Sequence, residues 1–193
     1  MKNFKLKTHY KKILADTISP VSVYLKIRDQ FPNSILLESS DYHGNDNSFS
    51  YICCNPIASI KVEASVITKT YPDRTTEIKT VSHDKVTLEI DAFTKQFETQ
   101  KDKVFKFINN GMFGFTAYDA VKYFEDITIS KKNGSVEIPD MYYAVYQNII
   151  AINHFKNEAY IFAHCYETES NIEAIDHLIK MQSFSSYDFK SIG

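Results

Sequence analysis

The sequence predicts an α+β fold, mainly antiparallel strands with a few flanking helices. Three observations predict it. Met141 to Phe155 and Ala159 to His164 are aromatic and β-branched runs with Asn157 between them, the pattern of a hairpin. Ile60, Val62, Ala64 and Val66 alternate with polar residues, the period-2 pattern of a half-exposed strand. Helical spacing is confined to short stretches, such as Ile172, Ile175, Leu178, Ile179 and Met181.

Taken in order, the elements follow from local chemistry. Lysines crowd the start, at Lys2, Lys5, Lys7, Lys11 and Lys12, and predict a solvated, partly frayed extension over residues 1–16. Ser19 can cap a helix and Pro20 suits its first turn. Val21, Tyr24, Leu25 and Arg28 continue at helical spacing, and Phe31-Pro32 stops the helix. Ile35-Leu36-Leu37 reads as a short buried strand, Asp41 to Ser48 as a polar loop, and Phe49 to Cys54 as the next strand. After the alternating Ile60–Val66 stretch, Tyr71-Pro72-Asp73 turns the chain into a returning strand, Thr75 to Val81. Asp91 to Gln100 resembles a helix with Phe93 and Phe97 on one face. Asn110-Gly111 is a turn before Met112-Phe113-Gly114-Phe115, and a helix opens near Ala117 with Tyr118, Val121, Tyr123 and Phe124. Asn133-Gly134 is a further turn, Ser170 begins the last helix, and Ser183 to Gly193 is a polar tail.

Composition excludes several function classes. The 193 residues carry 22 basic and 24 acidic side chains, a formal net charge of −2, so no strong field favours nucleic acid or an anionic membrane. No apolar run approaches the ~20 residues of a membrane helix, and the N-terminus lacks the apolar core of a signal peptide. Cys53, Cys54 and Cys165 are odd in number and two are neighbours, so they read as buried thiols of a cytoplasmic protein.

Residues for catalysis are scattered. His9, His43, His83, His154, His164 and His177 include no pair at the i, i+4 spacing of a helical zinc site, and His164 and Cys165 point to opposite faces of a strand. Phosphate-binding glycine loops and the G-x-S-x-G elbow do not occur. Asp119 and Glu125 lie six apart and face different sides of a helix. Neither catalytic nor metal-ligating residues are predicted.

Four segments, in order, resemble one family. They are Ser19-Pro20-Val21-Ser22-Val23-Tyr24-Leu25-Lys26, Leu36-Leu37-Glu38-Ser39, Phe49-Ser50-Tyr51-Ile52-Cys53-Cys54-Asn55-Pro56, and the block from Gly111 to Glu125. Together they are similar to the N-terminal domain of anthranilate synthase component I, the large chorismate-binding subunit. The resemblance covers about Thr17 to Tyr166. Departures occur at Ser48, where the family often has Arg, at Cys53, where it has Gly, and at Phe115 and Lys122, where it has Tyr and Arg.

The resemblance implies residues 17–166 as that domain, and 167–193 as a helix and tail leading toward a missing C-terminal chorismate-binding domain. The strands would then be part of the family's larger β-sandwich-like core. It implies that the full-length enzyme converts chorismate and glutamine or ammonia to anthranilate and pyruvate with Mg2+, while this chain alone is inactive and needs no cofactor. It implies a glutamine amidotransferase partner (component II) and L-tryptophan as feedback inhibitor. The feedback site would be Glu38, Ser39 and Ser50: a carboxylate for the ligand's ammonium and hydroxyls for either polar end. The N-terminal domain of aminodeoxychorismate synthase component I, and a stand-alone amino-acid-binding module, are the alternative readings.

Overall fold

The structure, a computed structural model, describes residues 2–38, 48–99, 104–127, 129 and 138–181. Its elements are β1 (Phe4–Leu14), α1 (Pro20–Arg28), β2 (Ile35–Leu37), β3 (Phe49–Glu63), β4 (Val66–Thr70) and β5 (Thr76–Thr80). They continue with α2 (Val86–Thr94), β6 (Phe97–Thr99), β7 (Met112–Thr116), β8 (Met141–Asn153), β9 (Glu158–Cys165) and α3 (Ile172–Lys180). Short 3-10 turns cover His83–Lys85 and Tyr118–Tyr123. The strands of the described residues join in one sheet of order β5-β4-β3-β8-β9-β1-β6, with β2 beside β3 and β7 beside β8. All pairings are antiparallel except the short parallel contact of β1 with β6. The fold is thus α+β and mostly antiparallel, as its strand-rich sequence predicts.

The long strands β3 and β8 form the axis. Their pairing is interrupted by a bulge between Pro56 and Ala58, next to Asn55, whose φ is 57°. Asn tolerates the left-handed region better than most residues, and a bulge bends the strand. The break separates two cores. Before it, Ile52 and Cys54 join Ile150, Ile152, Ile161 and Ala163 beneath Val23 and Ile27 of α1 and Ile175 and Ile179 of α3. Beyond it, Ala58, Ile60 and Val62 join Met141 and Val145 beneath Val86 and Phe93 of α2 and Ala120 and Tyr123 of the 3-10 turn. A third cluster is rich in aromatic rings: Phe49, Phe113, Tyr146 and Phe162 are buried in it beside Cys53, Ala144, Ile149 and Ala151, with Phe105, Phe107 and Tyr160 packed against it.

Several expectations are corrected. Residues 4–14 are not a frayed extension; β1 pairs with β9 from Lys7 to Leu14 and lies inside the sheet. Phe4 and Leu6 are its buried side chains, while Lys11 reaches Glu173 and Asp176 of α3 and Lys12 reaches Glu158. Lys11 and Lys12 are ion-paired positions of a strand. The last helix packs on α1, and Lys26 Nζ donates to the carbonyls of Ile179 and Met181 at its end. Ala64 leaves the strand, because Ala64 and Ser65, at φ 48° and 66°, form the two-residue turn that joins β3 to β4. The helix near Phe93 starts earlier, at Val86, and ends before Phe97, which belongs to β6 but keeps ring contact with Phe93 at 5.0 Å. β2 is a half-exposed strand and not a buried one. Residues 41–47, Asn133-Gly134 and the 183–193 tail lie outside the described residues.

Candidate ligand-binding site

The proposed site residues fall where β2 ends and β3 begins. The β2–β3 register ends with Leu37 opposite Tyr51, so Glu38 follows the end of β2 and Ser50 is the residue before Tyr51 in β3. Glu38 is exposed, and Ser39 lies outside the described residues. Ser50 is fully buried, with its Oγ 2.7 Å from Nε2 of His154. The His154 backbone N–H donates to the Ser48 carbonyl at 3.0 Å, which closes the corner where β3 meets the end of β8. Glu38 and Ser50 thus each lie one position beyond the last β2–β3 pair, Glu38 exposed and Ser50 buried against His154.

His154 is the residue that sequence reasoning missed. It lies 104 positions from Ser50, and only the β3–β8 pairing brings the two together. A serine within hydrogen-bond reach of an imidazole is also the arrangement of a nucleophile and its base. Here the hydroxyl has no accessible surface, so an acyl substrate cannot approach it. The corner suits binding by an exposed carboxylate on a rigid edge, and not covalent chemistry.

The other motifs are explained by structure. A Cβ added at Gly114 would fall 1.9 Å from the Tyr142 carbonyl oxygen, and Gly111 sits at φ 130°. Both glycines are therefore demanded by the backbone of β7 and its entry turn. Lys122 keeps a cation at its position and pairs with Asp140 at 2.6 Å. Asp140 also accepts from the Tyr123 hydroxyl at 2.7 Å and the Ala64 N–H at 3.1 Å. Burial alone would raise the Asp140 pKa, but these donors outweigh it and hold the carboxyl below its ordinary value. Cys53 and Cys54 are buried, and burial pushes the Cys54 thiol up to about 12 and Cys53 higher still, which keeps both as unreactive thiols. Among the described residues no group of three or more His, Cys, Asp or Glu side chains could hold a metal ion. In the same residues no helix is long and apolar enough to cross a membrane.

No protein-family model matches the chain. Curated proteins do. Anthranilate synthase component 1 of Lactococcus lactis subsp. lactis is 28% identical over 152 residues, covering 79% of this chain and 31% of that protein. The chain is a relative of anthranilate synthase component 1. The Thermus thermophilus protein of that name is 25% identical over 159 residues, covering 82% of this chain and 32% of its own length. The Mycobacterium tuberculosis protein is 24% identical over 172 residues. The chain thus spans about a third of the length of these component 1 relatives. Among solved structures, component I from Streptococcus pneumoniae covers 88% of this chain and 35% of its own, at 20% identity and a TM-score of 0.47.

Proposed function

We propose that this chain is the regulatory N-terminal portion of an anthranilate synthase component I, holding a tryptophan feedback site at Glu38, Ser39 and Ser50. The observation that supports the reading is the junction of β2 and β3, where two segments of the resemblance meet: exposed Glu38 and buried Ser50 each lie next to the Leu37–Tyr51 pair that ends the pairing. Glu38 pairs with the ligand's ammonium, Ser39 serves its carboxylate or indole N–H, and Ser50 with His154 keeps the edge rigid. The reaction itself, chorismate with glutamine or ammonia to anthranilate and pyruvate with Mg2+, belongs to a chorismate-binding domain joined to this chain. A glutamine amidotransferase subunit supplies the ammonia.

An exposed apolar surface supports an assembly role. Phe115, Tyr118, Phe124, Ile127 and Ile138 are exposed around β7 and the 3-10 turn, an apolar surface suited to a further domain. The test is product analysis on an enzyme in which this chain is joined to a chorismate-binding domain. Supplied with chorismate, Mg2+ and ammonium, it should release anthranilate and pyruvate and be inhibited by L-tryptophan. Glu38→Gln should weaken that inhibition. Aminodeoxychorismate as product, or activity indifferent to tryptophan, would refute the reading.

A further inference from the structure

A second site lies on the opposite face of the sheet from the Ser50 corner. Phe49 and Ser50 are neighbours in β3, so their side chains point to opposite faces. The Phe49 side carries a cleft of about 470 Å³, walled by the Val104–Phe107 strap and floored by β1 and β9. Phe49 stacks on Phe107 at 4.7 Å, Phe107 meets Tyr160 at 5.2 Å, and Tyr10 meets Phe105 edge-on at 4.9 Å. The rim is cationic: Lys12, Lys106 and Lys156 face it against Glu158. Lys12 is already paired with Glu158 at 2.5 Å. Lys106 and Lys156 are exposed and form no ion pair among the described residues, although Lys12, helped by the Lys156 charge, holds the Glu158 carboxyl low; both ammonium groups stand over an aromatic floor.

We propose that this cleft binds a small planar aromatic carboxylate, with its ring against Phe49, Phe107 and Tyr160 and its carboxylate at Lys106 and Lys156. The volume lies in the range of small-molecule sites, which are mostly apolar with a few polar groups that fix orientation. Aromatic rings favour a planar ring as occupant over a saturated one. Three lysines, Lys12, Lys106 and Lys156, line the cleft against the one carboxylate of Glu158, and this excess of positive charge selects an anion and repels a cation. The proposal does not depend on the tryptophan reading, since it uses neither Glu38 nor Ser50.

The experiment titrates 2-naphthoate into the chain and follows the probe's own fluorescence. The chain contains no Trp, so no indole emission overlaps the signal. Cyclohexanecarboxylate and 2-naphthylmethylammonium serve as the saturated and cationic counterparts. Saturable binding of naphthoate is expected, with both counterparts much weaker. Replacing the two lysines together, Lys106→Met with Lys156→Met, should weaken naphthoate binding by about tenfold or more. Both lysines are exposed, so the melting temperature should be unchanged, which separates loss of binding from loss of fold. Phe107→Leu should weaken naphthoate and leave cyclohexanecarboxylate unaffected. Non-saturating naphthoate, an unchanged affinity in the double lysine variant, or equal binding of the ammonium probe would each overturn the proposal.

Discussion

On one face of the sheet, α1 and α3 cover Ile52, Ile150, Ile161 and Ala163 with aliphatic side chains, and Ile27 and Ile175 lose all their accessible surface there. On the other face, among the described residues, the strap that carries Phe105 and Phe107 packs ring against ring on Tyr160 and Phe162. The first face is closed by the chain's own regular structure. The second is closed by a few aromatic contacts and one hydrogen-bonded histidine, His164, which meets Thr8 Oγ1 at 3.0 Å and the Asn109 carbonyl at 2.8 Å. The lesson is that stability and binding are divided between faces: helices fix the fold, and the strap side keeps the cleft.

Four substitutions or conditions sharpen that contrast, from the largest expected effect to the smallest. Ile175→Ala removes fully buried methylenes from the helix-covered core and should cost about 2–5 kcal/mol, read as a lower denaturation midpoint at constant slope. Gly114→Ala drives a Cβ into the backbone of β8 and should cost roughly 1–3 kcal/mol or more by unpairing β7. Phe107→Ala, on the half-exposed strap, should cost about 1–2 kcal/mol and raise hydrogen exchange at residues 104–110 without changing it in α3. If Phe107→Ala proves as damaging as Ile175→Ala, the two faces are not distinct.

The fourth is a pH effect. Burial lowers the His164 pKa below its ordinary 6.5, and the contact with the Asn109 carbonyl only partly opposes this. A group whose folded pKa is depressed stabilises the fold above its unfolded pKa. That stability is lost as the pH falls through the window below about 6.5. The carboxylates held low by ion pairs, Glu89 and Asp176, begin to lose their contribution only nearer their ordinary values of 4.5 and 3.8. Melting temperature should therefore fall gently between roughly pH 6.5 and 5 in the wild type and stay flat in His164→Gln. An equal slope in both proteins would remove His164 from the account.

Much of the fold was legible because local rules and tertiary packing agree. Pro20 opens α1 in the first turn as its fixed φ predicts, with Ser19 at the N-cap position but without a side-chain capping bond, and the period-2 and β-branched runs became β3, β8 and β9. What was not legible depended on distant partners. The lysines of β1 resemble a solvated tail until Glu158, Glu173 and Asp176 are brought beside them from the far end of the chain. The turn at Ala64-Ser65 carries neither Gly nor Asn, so its positive φ values had no sequence signal. At the candidate site, Glu38 and Ser50 were readable through a resemblance to a known family, but the burial of Ser50 and its bond to His154 were not. Those depend on the β3–β8 register, which no local pattern encodes.

The most direct test of the central claim is a tryptophan inhibition curve for an enzyme carrying this chain joined to a chorismate-binding domain, wild type against Ser39→Phe, with chorismate saturating. A ligand shifts the balance between active and inactive states only through its differential affinity for them, and coupling of this kind commonly spans about 5- to 150-fold. A phenylalanine at position 39 would replace the proposed ligand-contacting hydroxyl with a bulky ring, and the inhibition midpoint should rise by about tenfold or more. A midpoint identical to wild type would place the feedback site elsewhere.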